Sequence, residues 1–321
     1  MASTKPLENV AIVGALGHVG QFLLSALLEN GKHNITALTR AETKGVLPQG
    51  VKNVRVDFDK PESLVEALRG QQFLIITLAV AAPPDTQSKI VRAAAEAGVK
   101  YIMPSCFGTD IRNLKFGSEP MGAVVLKQLA EIESLGLSYV SLVCGAWYEW
   151  SLALGESWFG FTIPARKVTL FDDGETVVTI STWPQCGRAV AALLSLPETD
   201  ASPSLSDWRN EPCYISSFRV SQRDMLASLH RVLGTVDADW EITHESTAKR
   251  AQDGMEEFSR GIRTGIGKSM YAKLFIRSRA GEMEYPKGTA NAVLGLPEES
   301  LDKATRAAVA MAESGWNPLK R

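Results

Sequence analysis

Asn9-Val10-Ala11-Ile12-Val13-Gly14-Ala15-Leu16-Gly17-His18-Val19-Gly20 is the stretch whose reading decides the fold. A short apolar run, Asn9 to Val13, stops at glycine. From Gly20 to Asn30 apolar residues return at helical spacing (Phe22, Leu23, Ala26, Leu27), and Gly31 supplies the stop. The pattern predicts a strand, a tight glycine turn and a helix. A strand–turn–helix of this kind can cradle a pyrophosphate. Glycine permits the turn, lets backbone approach the phosphates and lets the helix pack close, and the helix N-terminus offers N–H groups and partial positive charge. The alternative is a turn whose glycines are purely structural.

Outward from this stretch the two periodicities keep alternating. Asn34 to Leu38 and Val51 to Phe58 are strand-like, and Pro61-Glu62-Ser63-Leu64 opens a helix running to Gly70. Phe73 to Val80 is a nearly all-apolar strand, as in a parallel sheet covered on both faces. Pro84 to Gly98 reads as a helix, Tyr101 to Pro104 as a strand, Glu119 to Gly136 as a helix and Ser138 to Cys144 as a strand. This regularity predicts an α/β Rossmann domain, a doubly wound parallel sheet, over residues 6–150. After residue 150 the rhythm changes. Lys167 to Phe171 and Thr176 to Ser181 predict a hairpin around Asp172-Asp173-Gly174-Glu175, and Gln185 to Leu196, Ser221 to Leu233 and Leu301 to Ser314 predict helices. Ala201 to Pro212 has loop composition. Residues 151–321 are therefore expected to form a smaller α/β substrate lobe, with some segments free to return to the first sheet.

The 321 residues are 45% hydrophobic and 22% charged, with a formal net charge of -2, so no basic field for nucleic acid is expected. No apolar run reaches the ~20 residues that span a bilayer, and the first residues do not resemble a signal peptide. The four cysteines (Cys106, Cys144, Cys186, Cys213) and four histidines are scattered, which predicts reduced thiols, a cytoplasmic setting and no metal centre.

The end of the second strand selects the dinucleotide. NAD sites place Asp or Glu there, whereas this chain has Thr39-Arg40 with Lys44 close behind. A guanidinium binds a 2′-phosphate that a carboxylate would repel, so NADP(H) is the expected cofactor; the other reading is a solvated surface arginine.

These residues resemble the atypical short-chain dehydrogenases of the NmrA-like and isoflavone-reductase-like group, which includes plant phenylcoumaran benzylic ether reductases and fungal CipA-like oxidoreductases. The match covers Gly14–Gly20, Arg40, Asp57-Phe58-Asp59 with Ser63-Leu64, and Gln87 with Ala94-Ala95-Glu96-Ala97-Gly98. Its most specific part is Pro104-Ser105-Cys106-Phe107-Gly108-Thr109-Asp110, followed by Lys127 and Ile132-Glu133-Ser134-Leu135-Gly136. The resemblance implies cofactor contacts from Gly14, Leu16, Gly17, His18, Val19, Gly20, Arg40, Lys44, Asp57, Phe58, Leu78, Ala79, Ser105, Phe107 and Lys127. Two departures fall where substrate would lie: Cys106 replaces the family's glutamate, and Val143-Cys144-Gly145 stands in place of an Asn-containing motif.

The Tyr-x-x-x-Lys pair of ordinary short-chain dehydrogenases is absent. The resemblance implies Lys127 as general acid/base; the alternative is an exposed ion pair with Glu131, four residues on. Trp147, Tyr148, Trp150, Trp158 and Phe159 cluster past the sixth strand and suit a flat, apolar or cationic substrate, or else form a seam between lobes. Trp147, Tyr148 and Trp150, with Cys106 as a wall residue rather than a reactive thiol, are the expected substrate contacts. The leading functional expectation is an NADPH-dependent reductase of an aromatic, alkaloid or polyketide-type small molecule, in secondary metabolism, delivering hydride to a C=O, C=N, C=C or benzylic carbon. Two alternatives remain: a dinucleotide-sensing regulator with a protein partner and no turnover, and a non-redox cyclisation catalyst on the same scaffold.

Overall fold

A computed structural model describes residues 5–79, 82–108, 110–112, 120–276 and 288–318, with the side chains of residues 120 and 121 excepted. Val80, Thr109 and Glu119, which the sequence reading includes in its elements, lie outside the described residues. Two compact units are present. The first comprises Met1–Val143, Trp183–Ile215 and Thr289–Leu296; the second comprises Cys144–Thr182, Ser216–Gly288 and Pro297–Arg321.

The first unit is a parallel sheet of seven strands. They are β1 (Asn9–Val13), β2 (Asn34–Arg40), β3 (Val51–Val56), β4 (Phe73–Ile76), β5 (Tyr101–Met103), β6 (Ser138–Val143) and, from far along the chain, β11 (Glu211–Tyr214). The order is β11-β6-β5-β4-β1-β2-β3, every neighbouring pair being parallel. Chain direction across the sheet reverses between β1 and β4, the switch point outside which doubly wound sheets bind ligands. The helices are α1 (Gly20–Asn30), α2 (Pro61–Leu68), α3 (Thr86–Ala97), α4 (Pro120–Ser134) and α6 (Trp183–Leu194). α1 packs against α6, so tightly that a Cβ at Gly187 would come within 2.4 Å of the Phe22 carbonyl oxygen. α2 and α4 both pack against α3. Val13, Leu38, Leu74, Ile76, Leu64, Ile90 and Ile132 share one buried core. β4 ends at Ile76, short of the expected Val80, and the next residue, Thr77, directs its hydroxyl onto the carbonyls of Val13 and Gly14. The segment read as a loop up to Pro212 holds a one-turn 3-10 helix, Leu205–Trp208, and the start of β11.

The second unit holds β7 (Ala146–Trp147), α5 (Tyr148–Ala153), β8 (Phe161–Thr162), β9 (Lys167–Phe171), β10 (Val178–Ser181), β12 (Phe218–Val220), α7 (Gln222–Leu233) and β13 (Glu241–Glu245). α8 (Thr247–Ser259), α9 (Thr264–Leu274) and α10 (Leu301–Glu313) complete its described elements. The expected hairpin is not formed: β9 lies between β13 and β8, and β10 between β12 and β7, in separate sheets. The turn between them is captured from outside. The Asp172 carboxylate accepts the Thr247 amide and hydroxyl at 3.0 and 2.6 Å, and the Asp172 carbonyl contacts His244 Nδ1 at 2.8 Å.

Candidate cofactor and substrate sites

At the switch point the glycine turn is a locked structure. Gly14 has φ +80°, and a Cβ there would lie 2.0 Å from the Thr77 carbonyl oxygen. A Cβ on Gly20 would lie 2.1 Å from the Gly14 carbonyl oxygen, so the helix start sits directly on the turn. The Gly17 amide donates to the Gly14 carbonyl at 2.8 Å. Thr77, which the sequence reading missed, shares its hydroxyl proton between the carbonyls of Val13 (2.9 Å) and Gly14 (3.0 Å). α1 begins at Gly20 behind Val19, which makes no side-chain cap, and has no acidic residue in its first turn, the arrangement that leaves a helix N-terminus able to take an anion. His18 is exposed and stacks on Trp183 (6.1 Å between centroids, 11° between planes), which in turn stacks on Phe22. Leu16 is exposed beside it.

At the end of β2, Arg40 is exposed and pairs with Glu42 at 3.3 Å; Lys44 is exposed as well. Arg55, also missed, reaches across from β3 and donates to the carbonyls of Arg40 and Thr43. Beyond β3, the Asp59 amide donates to Asp57 at 3.0 Å and, with Lys60 beside it, holds that carboxyl below the usual range. The Asp57 amide donates to the Ser63 hydroxyl, and half-buried Phe58 packs on the core.

The β4 and β5 ends are tied together. The Leu78 amide donates to Ser105 Oγ at 3.0 Å, and the Ser105 amide donates to Gln87 Oε1 at 2.9 Å. Ala79 is exposed and Phe107 half-buried. Cys106 is only 6% exposed, with its sulfur 3.5 Å from Ser141 Oγ. Downstream, the Tyr214 hydroxyl donates to Asp110 at 2.9 Å, and burial followed by this carboxylate pushes its phenol upward. Lys127 is exposed on α4. Leu129 and Ile132 are buried and Val125 packs on the same core, so at ~100° per residue Lys127 falls on the opposite side of the helix. Glu131 does not pair with it: that carboxylate is taken by Ser88 Oγ at 2.5 Å and Arg92 Nε at 2.9 Å.

In the second unit Trp147, Trp150, Trp158 and Trp316 are half-buried and meet edge to face, Trp150 contacting each of the other three at 5.4 to 6.3 Å. Trp316 and Tyr271 were not legible as members because they lie more than a hundred residues downstream. Tyr271 packs on Trp158 at 4.9 Å and reaches Ser151 Oγ at 2.7 Å. The one Ser151 proton goes to the Trp147 carbonyl at 2.6 Å, so Tyr271 is the donor to Ser151; burial pushes its phenol up to about 12. Tyr148 departs from its expected role. It has no exposed surface, its hydroxyl meets Thr305 at 2.7 Å, and it belongs to the core with Phe159. A side chain with no exposed surface offers no wall to a substrate.

Among the described residues no group of three or more His, Cys, Asp or Glu side chains is placed to hold a metal ion, and no helix is long and apolar enough to cross a membrane.

Residues 6–149 match the NmrA-like family model. The oxidoreductase aprR of Aspergillus flavus is 28% identical over 302 residues, 92% of this chain and 96% of that protein. The isoflavone reductase homolog P3 of Arabidopsis thaliana is 32% identical over 199 residues, 56% of this chain and 62% of that protein. Among solved structures, AtPrR2 with NADP+ and (+)pinoresinol has the same fold, with a TM-score of 0.74 and 18% identity over 94% of this chain and 98% of that one. Residues 6–149 are thus similar to the NmrA-like family, and the chain is similar to proteins named as an oxidoreductase and an isoflavone reductase homolog.

Proposed function

We propose that the protein is an NADP(H)-dependent reductase of an aromatic small molecule. One observation carries this reading: a clamped glycine turn leads into an uncapped helix N-terminus, and the neighbouring strand ends in Arg40 where a carboxylate would select NAD. The residues fit a dinucleotide. At Gly17 an added Cβ would meet only the Gly14 carbonyl oxygen, at 3.0 Å, so the outer side of the turn is open to a pyrophosphate. Arg40 and Lys44 are exposed for a 2′-phosphate, with Glu42 as the anion to be displaced.

When bound, the nicotinamide supplies or accepts hydride. The chain's part is to hold the dinucleotide through the glycine turn and the Arg40 loop, and to line the adjoining strand ends with Leu78, Ala79, Ser105 and Phe107. Lys127, from its exposed position on α4, holds or passes the proton of the reaction. Trp147, Trp150, Trp158 and Trp316 stack on an aromatic substrate, of which C=O, C=N, C=C and benzylic carbons are the candidate acceptors. The names of the relatives, an oxidoreductase and an isoflavone reductase homolog, support the same reading.

The test is calorimetry with NADP+ and NAD+, followed by a screen of aromatic ketones, imines, enones and benzylic ethers for NADPH oxidation. Preferential NADP+ binding with turnover of one class is expected. Absence of NADP+ binding overturns the reading, and tight binding with no turnover across the screen favours the dinucleotide-sensing alternative.

A further inference from the structure

Arg55 stands on β3 beside the strand that ends in Arg40: Thr39 registers with Arg55, and Arg40 with Val56. Its Nη1 donates to the carbonyl oxygen of Arg40 at 2.6 Å and of Thr43 at 3.1 Å, and lies 3.5 Å from that of Ala41. The Thr43 amide closes the same turn onto the Arg40 carbonyl at 3.0 Å. One guanidinium thus gathers the carbonyl dipoles of a turn that would otherwise turn them to solvent. At the other end of this loop Gly45 has φ +137°, and a Cβ there would come within 2.9 Å of Leu16 Cδ1 in the glycine turn. The 40–45 segment is therefore clamped at its Arg40 end and passes close to Leu16 at its Gly45 end, and it carries exposed Arg40 and Lys44.

We infer that Arg55 is a positioning residue for dinucleotide selection: it fixes the 40–45 turn so that Arg40 and Lys44 meet a 2′-phosphate. The inference rests on the NADP(H) reading above. A turn without this clamp samples more conformations, and ordering it on binding costs affinity. Glu42, 3.3 Å from Arg40, and Asp57 at the end of β3 carry the same sign as the phosphate, so selectivity depends on where the cations are held. NAD lacks the 2′-phosphate, so its affinity does not draw on this arrangement.

The experiment is calorimetry of wild type, Arg55→Ala and Arg55→Lys with NADP+, NAD+ and 2′-AMP. Arg55→Ala is expected to weaken NADP+ and 2′-AMP by about tenfold, the scale of one lost charge-assisted bond, with NAD+ unchanged. Arg55→Lys, which keeps charge and donors, recovers part of the loss. If Arg55→Ala does not fold, Arg55→Gln carries the same measurement. An unchanged NADP+ to NAD+ affinity ratio overturns the role of Arg55 and leaves the NADP(H) reading standing. A wild type that binds no NADP+ overturns both.

Discussion

The Thr77 hydroxyl lies 3.0 Å from the Gly14 carbonyl oxygen, joining the end of β4 to the turn that follows β1. Thr77→Val keeps the shape and removes that bond, leaving the Val13 and Gly14 carbonyls with one donor fewer. A stability loss of about 1 kcal/mol is expected, together with weaker NADP+ binding as the turn loosens. Thr77→Ser should restore binding. Thermal melts and calorimetry check both, and unchanged NADP+ affinity in Thr77→Val would show that the clamp does not shape the site.

The Arg40–Glu42 pair is exposed on both sides, so it contributes little to stability and is readily exchanged for another anion. Arg40→Asp is expected to weaken NADP+ roughly tenfold to a hundredfold while NAD+ binding holds or improves. Glu42→Gln removes the competing carboxylate and should tighten NADP+ severalfold. A wild type with equal affinity for NADP+ and NAD+ would contradict the selection argument.

For Lys127 the informative quantity is the split between turnover and binding. As proton donor or relay, Lys127→Ala should lower kcat by roughly a hundredfold or more, with a much smaller change in NADP+ affinity. Because Glu131 is engaged by Ser88 and Arg92, loss of Lys127 should scarcely move the melting temperature. Near-wild-type kcat in Lys127→Ala, on any substrate found by the screen, removes the catalytic assignment and leaves the dinucleotide reading untouched.

Acid should loosen the second unit through Asp302. Arg231 chelates its carboxylate, with Ser228 donating at 2.7 Å, and these bonds hold the carboxyl at about 2 against an ordinary 3.8. A carboxylate whose folded value is depressed contributes its full stability above the ordinary value and loses it as pH falls toward the folded one. The difference in melting temperature between wild type and Asp302→Asn should therefore be constant above about pH 5 and shrink between pH 4 and 2. A difference that stays constant down to pH 2 would mean the carboxylate charge contributes nothing.

The first unit was legible because its signals are local. Glycine at 14, 17 and 20 after an apolar run, a proline-led helix at Pro61 and the buried run Phe73–Ile76 each specify an element within about ten residues, and strand–helix alternation then implies a parallel sheet. The all-parallel order with its reversal between β1 and β4 agrees with that expectation. The hairpin after residue 167 failed because turn chemistry is local whereas strand pairing is not. Asp172-Asp173-Gly174-Glu175 does turn the chain, but β9 found partners in β8 and β13, and Thr247 took the Asp172 carboxylate.

By itself, then, the sequence determined the glycine turn, the strand–helix rhythm of the first unit and the cationic end of its second strand, all of which depend on neighbours along the chain. Only the tertiary structure decided that β11 joins the first sheet beside β6, that Thr77 and Arg55 clamp the two loops, and that Tyr148 is core while Trp316 and Tyr271 join the tryptophan cluster. These are contacts between residues 12 to 166 positions apart, and no periodicity or propensity within one segment encodes which distant side chain will satisfy a given carbonyl, hydroxyl or ring face.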